Sequence, residues 1–126
     1  MIQQQSILKV SDNSGAKTVK CIKVLGGFKK KQAVLGDTIV VSVQTLRNKS
    51  KKTSKVQRKE IYKALLIRTK TKLKKKDGSS MTFTENSVIL LSDTDKPIGT
   101  RIIGPIPKFF KKKKFQKFLS ISSALI

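Results

Sequence analysis

From residue 7 to residue 91, the apolar side chains of this chain come in short β-branched bursts. Each burst is cut off by glycine, a polar turn or a run of lysines. That pattern leaves room for little but a small all-β fold. Ile7-Leu8-Lys9-Val10 reads as a brief strand, stopped by Asp12-Asn13-Ser14-Gly15, whose residue types favour turns and tolerate positive φ. A second strand runs from 18 to 25, with apolar residues on both faces, so both are expected to be partly buried. Gly36-Asp37 opens a third, Thr38-Ile39-Val40-Val41-Ser42-Val43-Gln44-Thr45, in which Ile39, Val41 and Val43 alternate toward a core. A fourth spans 59–69, with Ile61, Leu65 and Ile67 in phase and Arg68 pointing the other way. A fifth spans 81–91. About five strands at this spacing predict a small closed barrel, which leaves no exposed sheet edge.

Between the fourth and fifth strands, Lys70, Lys72, Lys74, Lys75 and Lys76 lead to Asp77-Gly78, a hairpin turn signal, which predicts a protruding basic β-ribbon. After Pro107 the pattern changes. Phe115, Phe118 and Leu119 lie at helical spacing beside Lys117, so the segment 108–126 is expected to form short helical structure packed on a barrel made by residues 1–107. Gly99, Gly104, Pro105 and Pro107 mark a tight loop that a partner backbone could approach closely. The 126 residues make a single domain.

Charge then narrows function. The chain carries 29 Lys and Arg against 7 Asp and Glu, a net +22. Fourteen of the 29 lie between Arg47 and Lys76 with Glu60 the single acid among them, and six more lie between Lys108 and Lys117. Such a chain repels itself unless a polyanion neutralises it, and nucleic acid is the natural partner. Lysine dominates, and lysine positions a phosphate backbone where arginine recognises planar geometry. The few arginines therefore stand out. Arg68 and Arg101 are candidates for ordered backbone contacts, although either also fits an internal ion pair.

Catalysis has little to work with. The chain has no histidine, one cysteine and scattered carboxylates, which excludes the usual general base and any zinc site, so neither enzyme activity nor a metal or other cofactor is expected. Cys21 reads as a small buried hydrophobe in a reducing compartment. No apolar run approaches the ~18 residues of a membrane span, and the N-terminus shows neither a signal nor a transit pattern. A peripheral membrane role for the C-terminal helix would leave the basic loops unexplained. The stronger alternative is a free single-strand-binding protein on a similar barrel. It needs an exposed aromatic platform, for which Phe109 and Phe110 are the candidates.

Several ordered segments carry a resemblance. They are Met1-Ile2-Gln3, Val10-Ser11-Asp12-Asn13-Ser14-Gly15-Ala16-Lys17, Cys21-Ile22-Lys23-Val24-Leu25-Gly26-Gly27, Gly36-Asp37, Ala64-Leu65-Leu66-Ile67-Arg68-Thr69-Lys70, Asp77-Gly78 and Pro97-Ile98-Gly99-Thr100-Arg101-Ile102-Ile103-Gly104-Pro105. Together they resemble the large-subunit ribosomal protein L-fourteen family in its bacterial and organellar form, across almost the whole chain. The resemblance implies a five-stranded β-barrel with a protruding ribbon and short C-terminal helices. It implies binding to large-subunit rRNA, contact with neighbouring large-subunit proteins, and bridges to small-subunit rRNA. It also implies an exposed face on which a ribosome-silencing factor docks.

On that basis Asn13, Ser14, Lys17, Lys23, Lys29, Lys30, Lys31, Lys70, Lys72, Lys74, Lys75 and Lys76 join Arg68 and Arg101 as expected RNA contacts. By position, Thr100, Arg101 and Lys117 belong to the bridge and docking surface. Departures from the family pattern include Lys59-Glu60 where Gly-Asp is common, and a longer, lysine-rich stretch over 48–59. Heavy Lys, Ile, Phe and Ser usage with a plain N-terminus favours a mitochondrial ribosome, with bacterium or plastid as alternatives.

Overall fold

Strand formation follows the β-branched bursts closely. The computed structural model describes residues 1–47 and 54–126, so residues 48–53 of the lysine-rich stretch lie outside the described part. The strands are β1 (Ile7–Val10), β2 (Ala16–Val24), β3 (Thr38–Leu46), β4 (Ile61–Arg68), β5 (Leu73–Lys74), β6 (Ser80–Met81) and β7 (Ser87–Leu91). Strands β1, β2, β3, β4 and β7 form a closed barrel, the expected architecture. Neighbours run antiparallel until β7 meets β1 in parallel, with Val10 opposite Val88. The hairpin β5–β6 stands apart as a separate two-stranded ribbon, with Leu73 opposite Met81.

Three expectations change in detail. Residues 82–86 leave the sheet, so the long fifth strand is two pieces, β6 and β7. In β2 the two faces are not equivalent. Ala16, Val19 and Cys21 point into the core while Ile22 and Lys23 are exposed, and an irregularity between Cys21 and Lys23 turns Val24 back inside. In β4, Ile61 is exposed, although it shares the phase of the buried Leu65 and Ile67.

The reason lies in a second core. Ala64 and Leu66 of β4, with Val88 and Leu90 of β7, face the barrel interior alongside Val19, Cys21, Ile39, Val41 and Val43. The alternate residues Leu65, Ile67, Ile89 and Leu91 face outward, where they pack against Ile102, Ile106, Phe110, Phe115 and Phe118. Ile61 lies beyond the reach of that covering layer. Both faces of β7, and of β4 from Ala64 to Arg68, are therefore dry, which explains near-continuous apolar runs where one-sided strands would alternate. Burial also pushes the Cys21 thiol up from its ordinary pKa, so it stays protonated and inert.

The tail that covers β4 and β7 is more elaborate than one helix. Strand β8 (Ile102–Ile106) leads through two 3₁₀ turns, Lys108–Phe110 and Lys113–Phe115, into α1 (Gln116–Ser120) and then β9 (Ser122–Leu125). Strand β9 returns parallel to β8, with Ile102 opposite Ser122 and Ile106 opposite Leu125. Phe115 and Phe118 are buried as the helical spacing predicts. Phe110 is fully buried and meets Phe115 edge-on, with ring centroids 4.9 Å apart. Truncating such a ring in a packed core costs about 3–5 kcal/mol.

The turn into β4 shows how the fold tolerates a poor residue. Lys59 sits at φ +68, the left-handed conformation that glycine would hold without strain. It is kept there by a two-way hydrogen bond, Lys59 N–H to Val43 O at 2.8 Å and Val43 N–H to Glu60 O at 3.0 Å. The turn thus keeps its geometry despite Lys59. Lys59→Gly should raise stability by about 0.5–1 kcal/mol, read as a higher urea midpoint with an unchanged slope. No change in midpoint would mean the turn relaxes around the lysine.

Candidate nucleic-acid interface

The loop after β1 is built around a buried acid. The Asp12 carboxylate accepts the Ser14 N–H at 3.0 Å and the Ser14 hydroxyl through Oδ1, and the Leu90 N–H at 3.0 Å through Oδ2. One side chain thereby pins the turn and ties it to β7. Asn13 then reaches outward. Its Oδ1 accepts the N–H groups of Thr100 at 2.8 Å and Arg101 at 3.2 Å, and its Nδ2 donates to Thr100 Oγ1 at 2.8 Å. Gly99 permits the approach, because a β-carbon there would lie 2.8 Å from Asn13 Oδ1. The expected close approach at this glycine is therefore made by the chain's own side chain, not by a partner.

These bonds change what the predicted residues present. Ser14 is buried with its hydroxyl committed to Asp12, so it shapes the loop and offers nothing to solvent. Asn13 fixes the 99–101 segment. Lys17, Thr100 and Arg101 are exposed, and so is Asn13, although its amide is committed to Thr100 and Arg101.

Arg68 differs from its expected place as well. It ends β4 only 8% exposed, donating to Ser11 Oγ and to Ile103 O at 3.0 Å through Nη2. Gly104, at φ +89, lies so close to the guanidinium that a β-carbon would collide with Nη1. Burial lowers the Arg68 pKa, opposed by the nearby Glu85 charge, yet a guanidinium stays charged at any physiological pH. No carboxylate within ion-pair distance balances it among the described residues. Arg68 is the floor of a depression of about 480 Å³ whose rim includes Lys9, Lys17 and Arg47. Glu85 is the acid there, already bonded to Lys9 at 2.5 Å, and that bond holds its carboxyl below the usual range. The pair's contribution to stability is therefore present above about pH 4.5 and is lost as pH falls through the depressed value.

The remaining lysines stand on loops and edges. Lys29 and Lys31 are exposed, while Lys30 is half-buried and paired with Asp37 at 2.7 Å. Lys23 is exposed on β2. On the ribbon and the segment leading into it, Lys70, Lys72, Lys74, Lys75 and Lys76 are all exposed and free of ion pairs among the described residues. The ribbon's tip is stiffened by Asp77, whose carboxylate accepts the Ser79 N–H at 3.0 Å and hydroxyl at 2.6 Å. Those bonds hold its pKa below the ordinary range. Ile102 N–H donates to Ile121 O at 2.9 Å, tying the start of β8 to the residue after α1, the helix that carries the exposed Lys117.

Phe110, one of the two candidate stacking residues, is in the second core and so cannot serve as a platform. Phe109 is 40% exposed, with Lys112 Nζ 4.6 Å from its ring centre. The turn-pinning role of Asp12 and the exposure of Phe28 escaped the sequence reading. A lone aromatic between two glycines and three lysines does not by itself separate a surface ring from a core anchor. Among the described residues no group of His, Cys, Asp and Glu is placed to hold a metal ion, and no helix is long and apolar enough to cross a membrane.

A family model described as ribosomal protein L14p/L23e matches residues 1–126, the whole length of the chain.

Asn13→Ala removes the acceptor for two backbone N–H groups at once. Amide exchange at Thr100 and Arg101 should accelerate at least about tenfold, with the barrel amides unchanged. Unchanged exchange at those two amides would show that the 99–101 segment holds itself.

Proposed function

The chain belongs to the ribosomal protein L14p/L23e family, which makes it a structural constituent of the large ribosomal subunit, and from that premise we propose how it acts there. The barrel is a rigid platform, and its exposed lysines neutralise rRNA phosphates. Lys17, Lys23, Lys29, Lys31, Lys70, Lys72, Lys74, Lys75 and Lys76 make the contacts. Lys30 contributes through a cation already half-balanced by Asp37. Asn13, Ser14 and Arg68 act behind them, holding the loops whose backbone meets RNA. The observation that carries this reading is the ribbon: Lys74, Lys75 and Lys76, exposed and free of ion pairs among the described residues, sit on a hairpin stiffened by Asp77 and separate from the barrel sheet, with the exposed Lys70 and Lys72 leading into it. A cluster of point charges on a stiff arm fits the phosphates of folded RNA, where shape counts for more than base edges.

Thr100, Arg101 and Lys117 are proposed to belong to the surface facing small-subunit rRNA in the assembled ribosome. The same face would receive a silencing factor, and neighbouring large-subunit proteins would pack beside it. Residue usage favours a mitochondrial ribosome over a bacterial or plastid one.

With about eight phosphates neutralised, affinity for an isolated RNA duplex should fall with a log–log salt slope of about −7. Replacing Lys74, Lys75 and Lys76 together by alanine should make it shallower by about 3. A wild-type slope shallower than about −2 would contradict the phosphate-dominated mechanism. For location, the tagged protein should sediment with the large subunit from organelle fractions after magnesium removal splits the ribosome. Recovery from cytosolic ribosomes instead would refute the mitochondrial assignment.

A further inference from the structure

Phe28 is 93% exposed, more than any other large apolar side chain among the described residues. A single exposed hydrophobe is ordinarily unremarked surface, but the setting of this one is specific. Its loop is fixed. The Lys30 ammonium is held by Asp37 Oδ2 at 2.7 Å, and the same oxygen accepts the Val34 N–H at 2.9 Å. Lys29 is held at φ +52, a conformation that a residue with a β-carbon disfavours. The loop thus offers a fixed backbone from which the Phe28 ring projects into solvent.

The charged neighbour of the ring is a cation. Lys29 Nζ lies 5.5 Å from the Phe28 ring centre. Lys29 also lines, with Lys30, Lys31, Gln3, Gln4 and Gln32, an open depression of about 450 Å³ that the Phe28 ring itself does not line. Asp37, the acid nearest this loop, is already bonded to Lys30, so Lys29 and Lys31 are free of ion pairs among the described residues. A protein pocket for Phe28 would have to bring acids of its own to meet both lysines. One unpaired nucleotide supplies what the loop asks for: a π-face for the ring and phosphates on either side for Lys29 and Lys31.

The geometry points to Phe28 as a stacking residue for an unpaired RNA base, with Lys29 and Lys31 on the flanking phosphates. This rests on the RNA-binding reading above and adds a contact of a different kind. The ribbon and the other loops read phosphate spacing, whereas Phe28 selects a base that is out of its helix. One ring cannot track a strand as a single-strand binder's row of aromatics does, but it can lock a single displaced base.

The test uses the full chain and two RNA hairpins that differ in one bulged adenosine. Wild type should prefer the bulged hairpin by about tenfold. Phe28→Ala should erase that preference and leave the paired hairpin's affinity and salt slope intact, while Phe28→Trp should keep it. A preference that survives Phe28→Ala, or is absent from wild type, overturns the stacking role. Failure to bind the paired hairpin with a steep salt slope would instead sink the RNA-binding reading itself. In assembled ribosomes, Phe28→p-benzoylphenylalanine should photo-crosslink to rRNA. A crosslink to protein, or none to RNA, overturns the assignment of the partner.

Discussion

From Ala64 to Arg68 in β4, and throughout β7, neither face is wet, and the rest of the molecule is arranged around that constraint. Their inward residues complete the barrel, while Leu65, Ile67, Ile89 and Leu91 require a cover on the other side. The cover is the tail, whose three buried phenylalanines pack onto those four side chains. Burying a side chain of this size contributes about 1.5–3 kcal/mol. The tail is thus held by its apolar face, and its lysines are left at the surface. A chain with so few acids cannot hold its parts together by ion pairs, and among the described residues Lys9–Glu85, Lys30–Asp37 and Lys63–Asp95 are the pairs present. All three have partly exposed side chains, where such a pair is worth about 0–1 kcal/mol.

Polar order comes from internal hydrogen bonds instead. Asp12 and Arg68 are the two buried charges nearest the candidate interface, and each serves the backbone. Asp12 ties its own turn to β7, and Arg68 ties β4 to the segment after Arg101 through Ile103. The two glycines that let these side chains close in, Gly99 and Gly104, lie in one short segment. The segment that carries Thr100 and Arg101 is therefore clamped from both sides. Its surface residues are presented on a frame that does not need the partner to organise it. Preorganisation of this kind lowers the ordering cost of binding.

Much of the barrel was legible in the sequence because alternation reports one-sided burial directly, as at Ile39, Val41 and Val43. The hairpin was legible because Asp77-Gly78 is a local signal. The second core was not, since an apolar run such as Ala64 to Ile67 looks the same whether its outer face is wet or covered. Strand β9 was hidden for a related reason. Ser122-Ser123-Ala124-Leu125 has weak strand character, and its pairing with β8 depends on residues some twenty positions away. At the interface, charge and exposure were readable for the ribbon lysines. The inward turn of Ser14 and Arg68 was not, because a polar side chain's partners are set by tertiary contacts that composition does not encode. Phe28 went unread because an aromatic between lysines is as compatible with a core anchor as with a bare surface ring.

The late position of the covering tail also carries a consequence for how the protein comes to be. Every barrel strand lies between Ile7 and Leu91, whereas the residues that cover β4 and β7 run from Ile102 to Phe118. Synthesis runs from the N-terminus, so the barrel strands emerge before the segment that must shield the outer sides of β4 and β7. For that interval the nascent protein displays a greasy wall on an otherwise cationic body. Its charge then guards it against self-association, since two such intermediates repel each other before their bare walls can meet.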